Sequence, residues 1–147
     1  MEQADTRTKL LIGEEGAAVL KARTVCVLGI GGVGSFCVEA LARSGIGRLI
    51  LVDGDVVAPS NLNRQLMAVQ ETIGKAKTEA MAERIRQYRS DIEIRCVNRF
   101  YDASLNEELF CEPIDFVVDA IDSLSPKVFL LYHAYQRNIP VVSSMGA

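Results

Sequence analysis

Few folds admit an apolar strand that runs at once into three spaced glycines and then a helix, and residues 24–44 have that form. The apolar run Thr24–Leu28 leads into Gly29-Ile30-Gly31-Gly32-Val33-Gly34, and Gly32–Ser44 carries helical periodicity. Glycine at 29, 31 and 34 lets the backbone turn sharply, approach a phosphate closely and seat the next helix against a sheet. The helix N-terminus then offers N–H groups and a partial positive charge to an anion. Dinucleotide-binding enzymes use the same turn, and a tight strand-to-helix connection without ligand would need similar residues. By itself the turn therefore specifies a geometry and leaves the reaction open.

The alternation continues along the chain. Helices are expected over Glu14–Ala22, Gly32–Ser44 and about Lys75–Tyr88, with a short one near Ser104–Phe110. Strands are expected over Thr24–Leu28, Arg48–Asp53, Ile92–Val97, Phe116–Ile121 and Pro140–Ser144, and a polar turn segment follows Asp53 as far as Gln65. Ser125-Pro126 reads as an N-cap with proline in the first helical turn, and that helix runs toward Arg137. Strands that are apolar throughout imply a parallel sheet covered on both faces. The fold class is α/β, a Rossmann-like, mostly parallel sheet with helices on both sides. The sequence closes on Met145-Gly146-Ala147 directly after a buried-strand pattern, so residues 1–147 are expected to be one domain forming the N-terminal part of a longer protein.

A chain of 147 residues with 49% apolar content can bury a core of its own. The first residues, Met1-Glu2-Gln3-Ala4-Asp5-Thr6-Arg7, lack the apolar run of a signal peptide, and no stretch reaches the ~18 apolar residues of a membrane span. A soluble, cytosolic protein with no membrane partner is expected. A net charge of -3 argues against an electrostatic magnet for nucleic acid. The arginines at 84, 86, 89, 95 and 99 are interrupted by Glu83, Asp91 and Glu93, as on a solvated face. Cys26, Cys37, Cys96 and Cys111 form no C-x-x-C pair and are assigned no chemistry, and His133 reads as structural.

Downstream of the glycine turn lie polar residues that suit a triphosphate. Asp53 closes the second strand near the ~20-residue offset at which an acidic residue meets ribose hydroxyls, although Asp53-Gly54-Asp55 is also good turn chemistry and Asp55 by itself reads as structural. Asn61 and Arg64 belong to Ser60-Asn61-Leu62-Asn63-Arg64-Gln65, where an arginine is ordinarily a solvated charge. Lys77 lies one turn before Met81, on the apolar stripe that continues through Ile85 and Tyr88. A lysine there either meets an anion or snorkels to water. Asp119 and Asp122 close another strand, where the carboxyl ends of parallel strands line a ligand crevice. Asp122 is the candidate magnesium ligand, with helix capping as its alternative, and Asp119 either joins it or orients nearby backbone groups.

Taken in order, Gly29–Gly34, Asp53-Gly54-Asp55, Asn61-Leu62-Asn63-Arg64-Gln65, Gly74-Lys75-Ala76-Lys77 and Asp119-Ala120-Ile121-Asp122 resemble the motifs of the ThiF/MoeB/HesA superfamily of ubiquitin-activating-type adenylating enzymes. Within it, Arg7–Gly13, Glu39–Gly47, Asp119–Ser123 with Pro126-Lys127, and Ile139–Ala147 look most like the TcdA branch, whose members are tRNA threonylcarbamoyladenosine dehydratases. The resemblance implies an ATP-dependent enzyme and a nucleotide site made of Gly29, Gly31, Gly32, Gly34, Asp53, Asp55, Asn61, Arg64 and Lys77. Asp53 would hold the ribose, Arg64 and Lys77 the phosphates, and Asp122 a magnesium ion. Arg7 would reach the ATP of the partner subunit in a homodimer.

The reaction implied is attack of the threonylcarbamoyl carboxylate on the α-phosphate, giving an acyl-adenylate that cyclises with release of AMP. The catalytic set is then Arg64, Lys77, Asp122 and Arg7, with tRNA as substrate. Adenylation of the C-terminus of a ubiquitin-like sulfur-carrier protein is the alternative. An NAD-dependent oxidoreductase fits the glycine turn and Asp53 but leaves Arg64, Lys77 and Asp122 without a common purpose.

Overall fold

The computed structural model describes residues 4–145, so Gly146 and Ala147 of the C-terminal motif lie outside the described residues. Five parallel strands stand in the order β3-β2-β1-β4-β5: β1 (Thr24–Leu28), β2 (Arg48–Val52), β3 (Glu93–Val97), β4 (Phe116–Asp119) and β5 (Val141–Ser143). Val25 and Val27 of β1 with Leu49 and Leu51 of β2 face one core. Cys26 and Leu28 with Ile50 and Val52 face the other. Both faces being apolar, each needs a covering layer. Helices α2 (Gly34–Ser44) and α3 (Lys77–Arg86) supply one through Val38, Ala42, Met81 and Ile85. The short α4 (Asn106–Leu109) and α5 (Leu124–Gln136) supply the other through Leu109 and Leu130. The Rossmann-like reading of the sequence is thereby met.

Several boundaries differ from the sequence reading, each for a local reason. Strand β4 stops at Asp119 because the Ala120 N–H makes the last bond across to Leu28, at 2.8 Å, and the Ile121 N–H turns back to Asp119 Oδ1 at 3.1 Å. Helix α3 starts at Lys77, two residues late, because residues 75 and 76 are engaged elsewhere. The Lys75 carbonyl accepts from Val57 N–H at 2.8 Å, and Ala76 bridges Val56 in antiparallel fashion. Ser123, not Ser125, is the N-cap of α5, which leaves Pro126 inside the first turn. The first helix, α1 (Thr6–Lys21), begins eight residues before the expected Glu14. It is two helical segments meeting at Gly13, whose φ of 77° and ψ of 170° no helix can hold.

Cys26 is fully buried, and burial pushes its thiol far above the ordinary range. The half-buried Cys96 is pushed up to about 11, also by burial. His133 packs against the Phe110 ring with centroids 4.6 Å apart, and burial holds its pKa below the usual value. Among the described residues no helix is long and apolar enough to cross a membrane.

Candidate active site

Strands β2 and β4 leave β1 on opposite sides, so the connections after β1 and β4 diverge. A crevice opens at the carboxyl ends of the strands, where ligands bind in sheets of this kind. It forms a cavity of about 760 Å³. Gly29 turns the chain there with φ of 89°, and a Cβ on it would lie 2.5 Å from the Ala120 carbonyl oxygen. A Cβ on Gly34 would lie 1.7 Å from the Gly29 carbonyl oxygen, so Gly34 serves the packing of α2 against the turn and is not on the cavity wall. Gly31, Gly32 and Val33 are on the wall, which brings the N-terminus of α2 to the cavity.

Asp53 braces this turn. Its Oδ2 accepts from Ile30 N–H at 2.7 Å and its Oδ1 from Asp55 N–H at 2.8 Å, tying the end of β2 to the glycine loop. A carboxylate has about four acceptor sites, so each oxygen keeps capacity for a ribose hydroxyl. Lys77 is 6% exposed and does not snorkel to solvent: its Nζ lies 3.1 Å from Asp55 Oδ2. The anion that a buried lysine requires is Asp55, read from sequence as a turn residue.

Arg64 lays its aliphatic stem over Gly32, 3.6 Å from where a Cβ would be. Its Nη1 donates to Ser60 O and Asn63 Oδ1, both at 2.9 Å. Arg64 and Lys77 thus line one cavity with Asp53, Asp55 and Asp122. Asn61 stands apart from it. Its Oδ1 accepts from Ala58 N–H at 2.8 Å and the residue is buried in the 3-10 turn Pro59–Asn61, so the geometry gives it a structural task. Arg7 is exposed on α1 and is not on the wall of its own chain's cavity.

Two side chains that sequence reasoning passed over support the arrangement. Ser35, fully buried in the first turn of α2, accepts from Leu66 N–H at 3.2 Å and pins the Arg64 segment to the glycine loop. Gln65 lies behind Gly31 on the cavity wall, 7% exposed, with Oε1 buried and unpartnered. A serine inside a helix and a glutamine in a polar loop carry no periodic signal, so only the approach of the two segments reveals them.

Among the described residues no three His, Cys, Asp or Glu side chains form a metal cluster. The wall carries two cations, Arg64 and Lys77, against the three carboxylates of Asp53, Asp55 and Asp122. A triphosphate placed here needs positive charge beyond what these side chains supply.

The ThiF family model matches residues 5–147. The chain belongs to the ThiF family. Among its ThiF relatives, the tRNA threonylcarbamoyladenosine dehydratase of Bacillus subtilis (strain 168) is 46% identical over 142 residues, 97% of this chain and 56% of that protein. The enzyme of the same name from Escherichia coli (strain K12) is 41% identical over 140 residues, 95% of this chain and 52% of that protein. The crystal structure of the E. coli enzyme, TcdA, in complex with ATP superposes with a TM-score of 0.93 at 40% identity, covering 96% of this chain and 58% of that one. The chain therefore spans little more than half the length of these ThiF proteins. The matched span includes every residue on the wall of the cavity described above.

Proposed function

We propose that this chain is the nucleotide-binding N-terminal part of an ATP-dependent tRNA threonylcarbamoyladenosine dehydratase working in the cytosol. The observation that carries the reading is the convergence of the glycine turn, Arg64, Lys77 and Asp122 on one cavity at the strand-order reversal. The ATP complex of the E. coli relative supports ATP as the nucleotide.

In the proposed reaction the substrate carboxylate attacks the α-phosphorus of ATP, expelling pyrophosphate. Cyclisation then releases AMP, so that the nucleoside loses one water overall. Because an anion approaches an anion, the protein must hold positive charge in place beforehand. Lys77 is fixed by Asp55 and Arg64 by the Ser60 and Asn63 contacts, so neither side chain has to be ordered during the reaction. Asp53 orients the ribose. Asp122 presents an exposed carboxylate to the cavity, and magnesium is ordinarily held by one or two such groups with phosphate oxygens and water, so the donor set fits that ion. Magnesium would supply positive charge at the phosphates, and Arg7 of the partner subunit in a homodimer would add more, which answers the shortage on the wall.

The test gives the full-length protein ATP and threonylcarbamoyladenosine-containing tRNA and reads the nucleoside by mass spectrometry. Loss of one water is expected. An unchanged mass together with adenylation of a ubiquitin-like carrier protein would move the assignment to a carrier-activating enzyme, and tight NAD binding without ATP binding would remove both.

A further inference from the structure

Directly behind the cavity lies a buried polar cluster that the reading above leaves without a task. Lys127, on the inner face of α5 and 4% exposed, donates from Nζ to Asp119 Oδ2 at 2.7 Å, to the Ser144 carbonyl at 2.9 Å and to Ser143 Oγ at 3.3 Å. Three ammonium hydrogens meet three acceptors, so the cation is satisfied within the protein. Asp119 is fully buried. It accepts in addition from Ser143 Oγ at 2.6 Å and, through Oδ1, from Ile121 N–H at 3.1 Å, while its carbonyl accepts from Ser144 N–H at 2.9 Å.

Lys127 does not itself line the cavity, but it bonds the Ser144 carbonyl, and through Asp119 it reaches Ile121, and both residues are on the wall, where Asp122 follows Ile121 in the chain. We propose that Lys127 is a positioning residue for the nucleotide, fixing through Asp119 and Ser144 the cavity wall that carries Asp122. The inference rests on the proposed ATP-binding reading. Two arguments support it. First, the 120–123 segment leaves the sheet after Ala120, and the Asp119 bond to Ile121 N–H sets its direction. Lys127 holds the carboxylate that makes this bond. Second, the wall already carries three carboxylates against two cations, and without Lys127 the Asp119 charge would lie uncompensated beneath a site meant for a polyanion.

Three variants of the full-length protein test this by calorimetric titration with magnesium-ATP, at a temperature where circular dichroism reports a folded chain. Lys127→Met is expected to raise the dissociation constant about 10- to 100-fold, the range for residues that orient binding groups without touching the ligand. Lys127→Arg keeps the charge and should bind more tightly than Lys127→Met. The double variant Asp119→Asn/Lys127→Met removes both charges and should melt higher than Lys127→Met while still binding at least about tenfold more weakly. A folded Lys127→Met or double variant that binds ATP as the wild type does would overturn the positioning role, as would loss of folding in both, which would assign the ammonium to stability alone. A wild type that binds no ATP would instead remove the reading beneath it.

Discussion

The Lys77 ammonium lies 3.1 Å from Asp55 Oδ2, and the Lys77 backbone N–H donates to the Asp55 carbonyl at 3.0 Å. Both bonds join the first residue of α3 to the segment just after β2. A buried cation at a helix start is thus held at the cavity before any nucleotide arrives. Lys77→Met keeps the packed stem and removes the charge. Loss of a preorganised donor costs ~2.7–4 kcal/mol of barrier, so turnover in the full-length protein should fall by about two to three orders of magnitude. Near-wild-type turnover on threonylcarbamoyladenosine-containing tRNA would strip Lys77 of its role.

Arg64 offers a cleaner separation of function from folding, because it is exposed and its bonds are to neighbours in its own loop. Arg64→Ala should lower turnover by about two to three orders of magnitude. Its unfolding free energy should move by no more than about 0.5 kcal/mol, as for a surface substitution. Urea denaturation beside a turnover assay gives both numbers, and a large stability loss would recast Arg64 as structural.

At Gly34 the fold leaves no room for a side chain, since a Cβ would meet the Gly29 carbonyl oxygen at 1.7 Å. Gly34→Ala is expected to destabilise by about 3 kcal/mol or more and to weaken ATP binding with it, the high end for overpacking. Gly45→Ala is the control: φ is 107° there but nothing lies within 4 Å, so the cost is backbone strain alone, about 1–3 kcal/mol. Melts of the two proteins should rank them in that order.

Asp115 links acid stability to the sheet. Its carboxyl is held below the ordinary value of 3.8, chiefly by the Thr24 N–H, which it accepts at 2.8 Å, and further by Arg23 at 2.9 Å, while partial burial opposes the shift. A depressed folded-state pKa contributes stability that is fully present above the unfolded value and lost as pH falls through the folded one. The melting-temperature gap between wild type and Asp115→Ala should therefore be widest near neutrality and narrow steadily below about pH 4. A gap independent of pH would contradict the assignment.

In the second core, Leu109 is fully buried against the β1–β2 face although α4 is only four residues long. Leu109→Ala should cost about 2–5 kcal/mol. A loss below about 1 kcal/mol, measured by urea denaturation, would mean that the α4 side collapses to fill the space.

Much of this protein can be read from local chemistry. Apolar runs at 24–28 and 48–53 predict buried parallel strands, and the glycines at 29, 31 and 34 predict a sharp turn that seats a helix, because both signals reside in neighbouring residues. Lys77 on the apolar stripe likewise calls for an anion unless it snorkels to water, and the structure supplies Asp55.

What no local pattern contains is the meeting of segments remote in sequence. Asp55 and Asn61 both look like turn residues. Packing gives the first to Lys77, 22 positions away, and keeps the second inside its own 3-10 turn. Lys127 is one lysine in a helix until the end of β5 brings Ser143, and Ser144 just after it, against it and β4 brings Asp119. Residue order determined the strands, the helices and the phosphate turn, since these depend on backbone preference and apolar periodicity over a few residues. Which charges neutralise one another, and which remain for a ligand, was decided only when the strand order reversed at β1 and placed the ends of β2 and β4 around one cavity. Electrostatic partnership depends on distance in space, and the sheet sets that distance.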